Sequence, residues 1–392
     1  MLYIKNARIK PIVGNDIENG SILVENGKIR AVTQGELSGI DGAEVIDAGG
    51  RLVTPGLIDA HTHLGLLGTA VRWEGDDVNE MTDPITPQLR ALDAINPMDE
   101  AFELARNAGI TAVGTGPGSA NIICGTFAAI KTYGKRIDDM TLKRDMAMKI
   151  AFGENAKMVY GQQGKKAPMT RMAIAAMIRE TFIKARRYQQ ELEDYNASDK
   201  SDKKPPAFDI KLEALLPVLR REIPLKAHAH RADDIFTACR IANEFNLRIS
   251  LDHCSEGHLI ADELEKEGKP CIVGPTFVHP SKPEVRNKTY DTVRVLIEKG
   301  LTVAITTDSP VIPLEGLPLC VGLAVKAGTP EDKAWECITI NPAKIMGVED
   351  RIGSLELGKD ADIVIHSGNP LLEICSAPLV TIIDGKVVYR AL

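Results

Sequence analysis

Two histidines stand two residues apart in His61-Thr-His63, directly after the apolar run Leu57-Ile-Asp-Ala60. Side chains at i and i+2 of a β-strand face the same way, so both imidazoles can address one point. Imidazole nitrogen is a common ligand for zinc. A lone His-x-His pair more often serves packing or a surface hydrogen bond, and this one gains weight from its company. Lys226-Ala-His228-Ala-His230, Asp252-His253 and Thr306-Thr-Asp308 each close another short apolar segment. Histidines and an aspartate at the ends of several strands suit a divalent cation better than core packing. Such a cation makes hydroxide available near neutral pH and polarises a carbonyl. The chemistry implied is hydrolysis.

These residues need a scaffold that gathers strand ends on one face. Candidate strands cover residues 57–61, 110–114, 127–131, 146–152, 225–230, 249–254, 270–275 and 302–308, with helix-favouring stretches between them. Eight such units predict an α/β fold, a TIM-like (β/α)8 barrel, whose functional side chains come from the C-terminal ends of its strands. A doubly wound sheet is the competing fold. Residues 1–54 and 350–392 read differently, as short strands joined by tight turns at Asn26-Gly27 and Asp384-Gly385. They are expected to form one small β-sandwich domain from both chain termini, beside a barrel of residues 55–349. Residues 169–195 favour a long helix, with Met172, Ala176, Ile183 and Tyr188 at roughly helical spacing. A polar, proline-terminated loop, 196–206, follows. The segment reads as an inserted packing helix, with a lid or an oligomer contact as the alternative.

Composition narrows the partners. The 392 residues are 44% hydrophobic and 26% charged, ordinary for a globular chain. Lys plus Arg number 47 against 54 Asp plus Glu, a net charge of −7 that argues against nucleic acid or an anionic membrane as the main partner. No run of about 18 apolar residues suggests a membrane span. Seven cysteines without a Cys-x-x-Cys pair suggest reduced thiols and a cytoplasmic location. A small-molecule substrate is expected, and a homo-oligomer is compatible.

The longer motifs carry a resemblance. Val45-Ile-Asp-Ala-Gly-Gly50 and Val53-Thr-Pro-Gly-Leu-Ile-Asp-Ala-His-Thr-His63 stand at the entry to the barrel; Asn341-Pro-Ala343, Gly353-Ser-Leu-Glu-Leu-Gly-Lys-Asp-Ala-Asp-Ile363 and Asp384-Gly-Lys386 stand at its exit. Across nearly the whole chain the pattern resembles the amidohydrolase superfamily, most of all its imidazolonepropionase, prolidase and related peptidase branch. The resemblance implies metal ligands at His61, His63, His228, His253 and Asp308, with Asp308 also moving the proton. It implies a bridging carboxylate when two metals bind. Met148-Lys-Ile-Ala-Phe-Gly-Glu154 offers Lys149, after carboxylation, or Glu154, and the two stay open here. Zinc is the favoured metal, one or two per chain, with iron or manganese as alternatives.

His230 shares the parity of His228 but lies further out, where it is expected to meet substrate. His279, after the seventh strand, is a second substrate candidate, though a capping or surface role is the plainer one. Lys282 and Arg286 share that loop and could hold a substrate carboxylate, though solvated charges are the plainer reading. Thr69, Arg72 and Tyr160 are guesses at pocket lining. Gly114-Thr-Gly-Pro-Gly118 lacks the spacing of a dinucleotide loop. The implied activity is hydrolysis of an amide or cyclic amide. The alternatives are deamination within the same family, a catalytically silent binding module, and a nucleotide-dependent α/β enzyme.

Overall fold

The computed structural model describes residues 1–38, 40–69, 72–199 and 204–391. The N-terminal strands are β1 (Leu2–Ile9), β2 (Ile17–Glu25), β3 (Lys28–Gln34), β4 (Glu44–Asp47) and β5 (Leu52–Pro55). Asn26 and Gly27 both have positive φ, 52° and 75°, as a type I′ turn between β2 and β3 requires.

Eight strands then follow at the expected places: β6 (Leu57–Thr62), β7 (Ile110–Thr115), β8 (Ile123–Lys131), β9 (Thr141–Ala151), β10 (Leu225–Ala229), β11 (Ile249–His253), β12 (Cys271–Val273) and β13 (Val303–Ile305). They make one eight-stranded sheet in chain order. Strands such as β6, β7 and β8 are buried on both faces, as strands between a barrel interior and an outer helical layer must be.

One strand departs from the expected all-parallel barrel. β8 runs antiparallel to both β7 and β9. Only residues 116–122 connect β7 to β8, and only 132–140 connect β8 to β9. A parallel crossover takes about a dozen residues or more, so the chain has to turn straight back. From β9 onward the βα alternation is regular, with helices Arg171–Ala197, Ala232–Phe245, Ala261–Glu267 and Asp291–Glu298 between successive strands.

The long helix Arg171–Ala197 is therefore the crossover between β9 and β10 rather than an insertion. Thr170 caps it, accepting from the backbone N–H of Ala173. Its buried face is Ile174, Ile178, Phe182 and Ala185; Met172, Ala176 and Ile183 lie on the outer face, and of the expected stripe only Tyr188 is buried. Of the loop 196–206, residues 200–203 lie outside the described residues.

Among the described residues no ladder joins β13 to β6, and side chains hold that seam. Asp59 Oδ2 accepts from the Thr307 N–H and hydroxyl, both at 2.8 Å, and Thr306 Oγ1 donates to the His61 carbonyl at 2.6 Å. The seam is thus braced where β6 delivers its histidines.

After the barrel come β14 (Ile363–His366), β15 (Pro378–Ile383) and β16 (Lys386–Arg390). They join the N-terminal strands in a single sheet of order β16-β15-β14-β5-β1-β2-β3, with β4 on β1. The strands expected to stack as a sandwich are one continuous sheet in hydrogen-bonding terms, its far sides bridged where Lys28 pairs with Asp360. It has its own apolar core, including Ile4, Ile22, Ile29, Ile363 and Ile382. Because β8 is reversed, its C-terminal Lys131 reaches this sheet and meets Asp360, Asp362 and Asp384.

Candidate metal centre

The strand ends bring two groups of donors together. Ligand atoms of His61, His63 and Asp308 lie within 4.8 Å of one another, and so do those of His228, His230 and His253. The groups adjoin, with ring centroids of His61 and His253 at 4.9 Å and of His228 and His253 at 4.4 Å. Asp308 Oδ1 is 3.5 Å from His61 Nε2 and 3.3 Å from His63 Nε2.

Most of these rings are committed at Nδ1. His61 Nδ1 bonds to Asp252 Oδ2 at 2.8 Å, His63 Nδ1 to the Gly116 carbonyl at 2.7 Å, His253 Nδ1 to the Gly274 carbonyl at 2.7 Å, and His230 Nδ1 to Ser255 Oγ at 2.8 Å. A partner at Nδ1 fixes the tautomer and leaves Nε2 to a metal. Burial pushes His61, His228, His230 and His253 well below the usual imidazole pKa, so these rings are neutral, the form that binds metal. Burial opposes ionisation of Asp308, but the polar and charged groups around it outweigh burial and hold its carboxyl below the ordinary range.

Two buried atoms at the centre, His228 Nε2 and Asp308 Oδ1, have no hydrogen-bond partner among the described residues. Orphaned nitrogen and carboxylate acceptors facing one space fit a divalent cation of the zinc, iron or manganese type. His253 and Asp308 both adopt left-handed backbone, φ 72° and 54°. Such strain costs about 1–3 kcal/mol per residue and concentrates at functional sites.

The two bridging candidates part company. Lys149 is wholly buried on β9, with Nζ 3.1 Å from His61 Nε2. Burial pulls its pKa below the usual lysine value. Glu154 begins the turn after β9, belongs to neither donor group and does not line the cavity; its backbone N–H donates to Glu284.

A cavity of about 280 Å³ opens over both groups, lined also by Val78, Asn79, Ser119, Asn155, Lys282 and Lys288. His230 lines it; His279 is exposed and does not. Thr69 and Arg72 are exposed, and Tyr160 is buried with its hydroxyl on Asn121; none of the three lines the cavity. Arg286 is exposed as well, whereas Lys282 turns inward. His366 bonds to Thr54 in the terminal sheet, and His258 to Thr292, away from the centre.

Three buried charged residues here have roles that their local sequence does not announce. Glu284, 1% exposed, places Oε1 3.8 Å from Nε2 of both His228 and His230 and 2.5 Å from Lys282 Nζ. Its signal was a charged loop directly after a barrel strand. Asp252 anchors His61, and Lys226 packs against Asp252 at 3.2 Å; burial pulls the Lys226 pKa down to about 8. Both sit in the very runs that carry the histidines.

Comparison with known proteins follows this geometry. Two models described as "Amidohydrolase family" match residues 44–105 and 225–390. The crystal structure of an amidohydrolase from Thermotoga maritima MSB8 matches with a TM-score of 0.95 and 40% identity, over 100% of both chains. The chain belongs to the amidohydrolase superfamily. It is accordingly a hydrolase acting on carbon–nitrogen bonds. Imidazolonepropionase of Thermoplasma acidophilum is 26% identical over 95% of this chain and 90% of that protein, in keeping with the imidazolonepropionase/prolidase-like branch. Amidohydrolase tasK of Hapsidospora irregularis is 31% identical over 94% of this chain, which spans 40% of that protein's length. As in the sequence reading, this amidohydrolase carries its chemistry-bearing side chains at strand ends. Among the described residues no helix is long and apolar enough to cross a membrane.

Proposed function

We propose that this chain hydrolyses the amide or cyclic-amide bond of a small polar molecule, with His61, His63 and Asp308 holding one divalent ion and His228, His253 and a carboxylated Lys149 completing a second place. The observation that carries the reading is the convergence of two histidine groups and the Asp308 carboxylate on a single cavity of about 280 Å³. Lys149 is preferred to Glu154 because its Nζ already stands beside His61 Nε2. Zinc suits the nitrogen-rich donor set, with iron or manganese as alternatives. When bound, such an ion polarises a carbonyl and lowers the pKa of water at the site.

The chain's own residues do the rest. Asp308 takes the proton of the attacking water at a carboxylate oxygen and returns it to the leaving nitrogen. Asp252 keeps the His61 ring oriented. His230, held by Ser255, faces the cavity as a substrate contact. The cavity's modest size supports a small substrate. We read residues 1–54 with 350–392 as one composite domain and 55–349 as the catalytic barrel. Unpaired cysteines, six of the seven buried, support a reducing, cytoplasmic setting.

The test is metal content per chain by mass spectrometry on protein purified without chelators, beside a His61→Ala/His63→Ala variant, followed by hydrolysis of an amide and cyclic-amide panel. Metal bound by the wild type and lost by the variant, with hydrolysis lost alongside, is the expected result. A wild type that takes up no zinc, iron or manganese overturns the reading.

A further inference from the structure

Lys226 is a fully buried lysine one strand away from Lys149. β9 and β10 pair in parallel with Lys149 opposite Lys226, and register partners share a face of the sheet. Both amino groups enter the same space: each Nζ lies 5.2 Å from the centre of the Phe127 ring. Asp252 Oδ2 is 3.2 Å from Lys226 Nζ and 3.9 Å from Lys149 Nζ, and it already takes the His61 N–H. Among the described residues Lys226 Nζ meets no acceptor with hydrogen-bonding geometry, although an ammonium carries three donors. Two buried lysines sharing one occupied carboxylate oxygen are short of negative charge, and an under-compensated buried charge is costly.

We propose that Lys226 is a positioning residue for a carboxylated Lys149, its ammonium serving as the counter-charge that holds the Lys149 carbamate. The inference rests on the reading of Lys149 as the bridging ligand. Lys149 Nζ, as a free amine, forms an N–C bond to carbon dioxide while one C–O π bond opens onto oxygen. The nitrogen then releases a proton to water, leaving a carbamate of charge −1. Where Lys149 as an ammonium repels Lys226, Lys149 as a carbamate attracts it. Lys226 thereby gains the acceptor it lacks, and Asp252 is left to His61.

The experiment is ¹³C NMR of the full chain equilibrated with ¹³C-labelled bicarbonate over a range of carbon dioxide pressures. The wild type is compared with Lys149→Met, Lys226→Met and Lys226→Gln. The wild type is expected to show a carbamate resonance that Lys149→Met lacks. Both Lys226 variants are expected to need about tenfold or more carbon dioxide for equal intensity, and raising the pressure restores their signal. A collapsed site would not respond to pressure, so this readout separates the electrostatic role from a merely structural one. Should Lys226→Met fail to fold, Lys226→Gln keeps a polar head against Asp252 and decides the matter. An unchanged pressure dependence in a folded Lys226 variant overturns the role of Lys226 alone. No resonance in the wild type overturns the carboxylation of Lys149, and this role with it, while leaving the metal-content result standing.

Discussion

His61 Nδ1 and Asp252 Oδ2 lie 2.8 Å apart, and neither side chain is exposed to solvent. A carboxylate behind a histidine fixes both its tautomer and the direction of its free nitrogen, and losing it typically weakens metal binding about 10–100-fold. Asp252→Asn is expected to lower metal affinity by that factor, read by chelator competition. It also removes a buried negative charge 3.2 Å from the Lys226 ammonium, so urea unfolding is expected to show a loss of about 3–5 kcal/mol. Unchanged affinity would mean that the His61 ring is held by its packing alone.

Lys149 and Glu154 are separable by stoichiometry. Lys149→Met is expected to reduce bound metal per chain, whereas Glu154→Gln leaves it at the wild-type value. Metal analysis of the two variants purified side by side decides. The reverse pattern would move the bridge to Glu154.

Asp308 carries the proton in the proposed reaction. Removing a general base of this kind costs about 10²–10⁴ in rate. Asp308→Asn is expected to lose activity by that range on whichever amide the wild type hydrolyses, with metal measured in the same sample. Full activity at wild-type metal content would assign the proton transfer elsewhere.

The junction of barrel and terminal sheet makes a prediction in pH. Lys131, nearly fully buried, contacts Asp360 at 2.8 Å, Asp362 at 3.0 Å and Asp384 at 2.5 Å. Burial pushes the Asp362 carboxyl up to about 6 even with Lys131 present. Burial also opposes ionisation of Asp360, but Lys131, Lys28 and Arg351 outweigh it and hold that group below its ordinary value. A raised folded-state carboxyl keeps a proton that the unfolded chain releases, so Asp362 costs stability as pH rises through the window from its unfolded value to about 6. The lowered Asp360 acts oppositely: its contribution is present above the unfolded value and is lost as pH falls through the folded one. Lys131→Met raises both carboxyl groups and enlarges the penalty at neutral pH. The variant is expected to lose about 3–5 kcal/mol at pH 8 and to recover part of it near pH 5, where Asp362 keeps its proton. Melting temperatures of both proteins at the two pH values check this; a deficit independent of pH would mean that lost packing dominates.

Much of the scaffold was legible locally. All eight barrel strands stand where short apolar runs predicted them, and the I′ turn at Asn26-Gly27 followed from two residues that tolerate positive φ. The reversal of β8 was legible in principle from its short connections, but the expectation of regular βα alternation masked it. The long helix is legible and its buried face is not: Met172 and Ile183 are as apolar as Ile174 and Phe182, and only the elements packed against it, Ile210–Glu213, Leu216–Leu219 and Ala232–Phe245, distinguish the two sides.

The sequence by itself determined which side chains are able to carry the chemistry and which way they face, since parity along a strand is a local property that holds wherever the strand is placed. Parity pairs His61 with His63, while the ligand roles of His228, His253 and Asp308 follow from their places at strand ends together with the family resemblance. Only the tertiary structure decided that Lys149 rather than Glu154 stands at the centre, that His279 stays outside it, and that Asp252, Lys226 and Glu284 support it. Those outcomes depend on distances between residues far apart in the chain, 191 positions in the case of His61 and Asp252. Such distances are set by the closing of the barrel and the braced seam between β6 and β13, which no local pattern encodes.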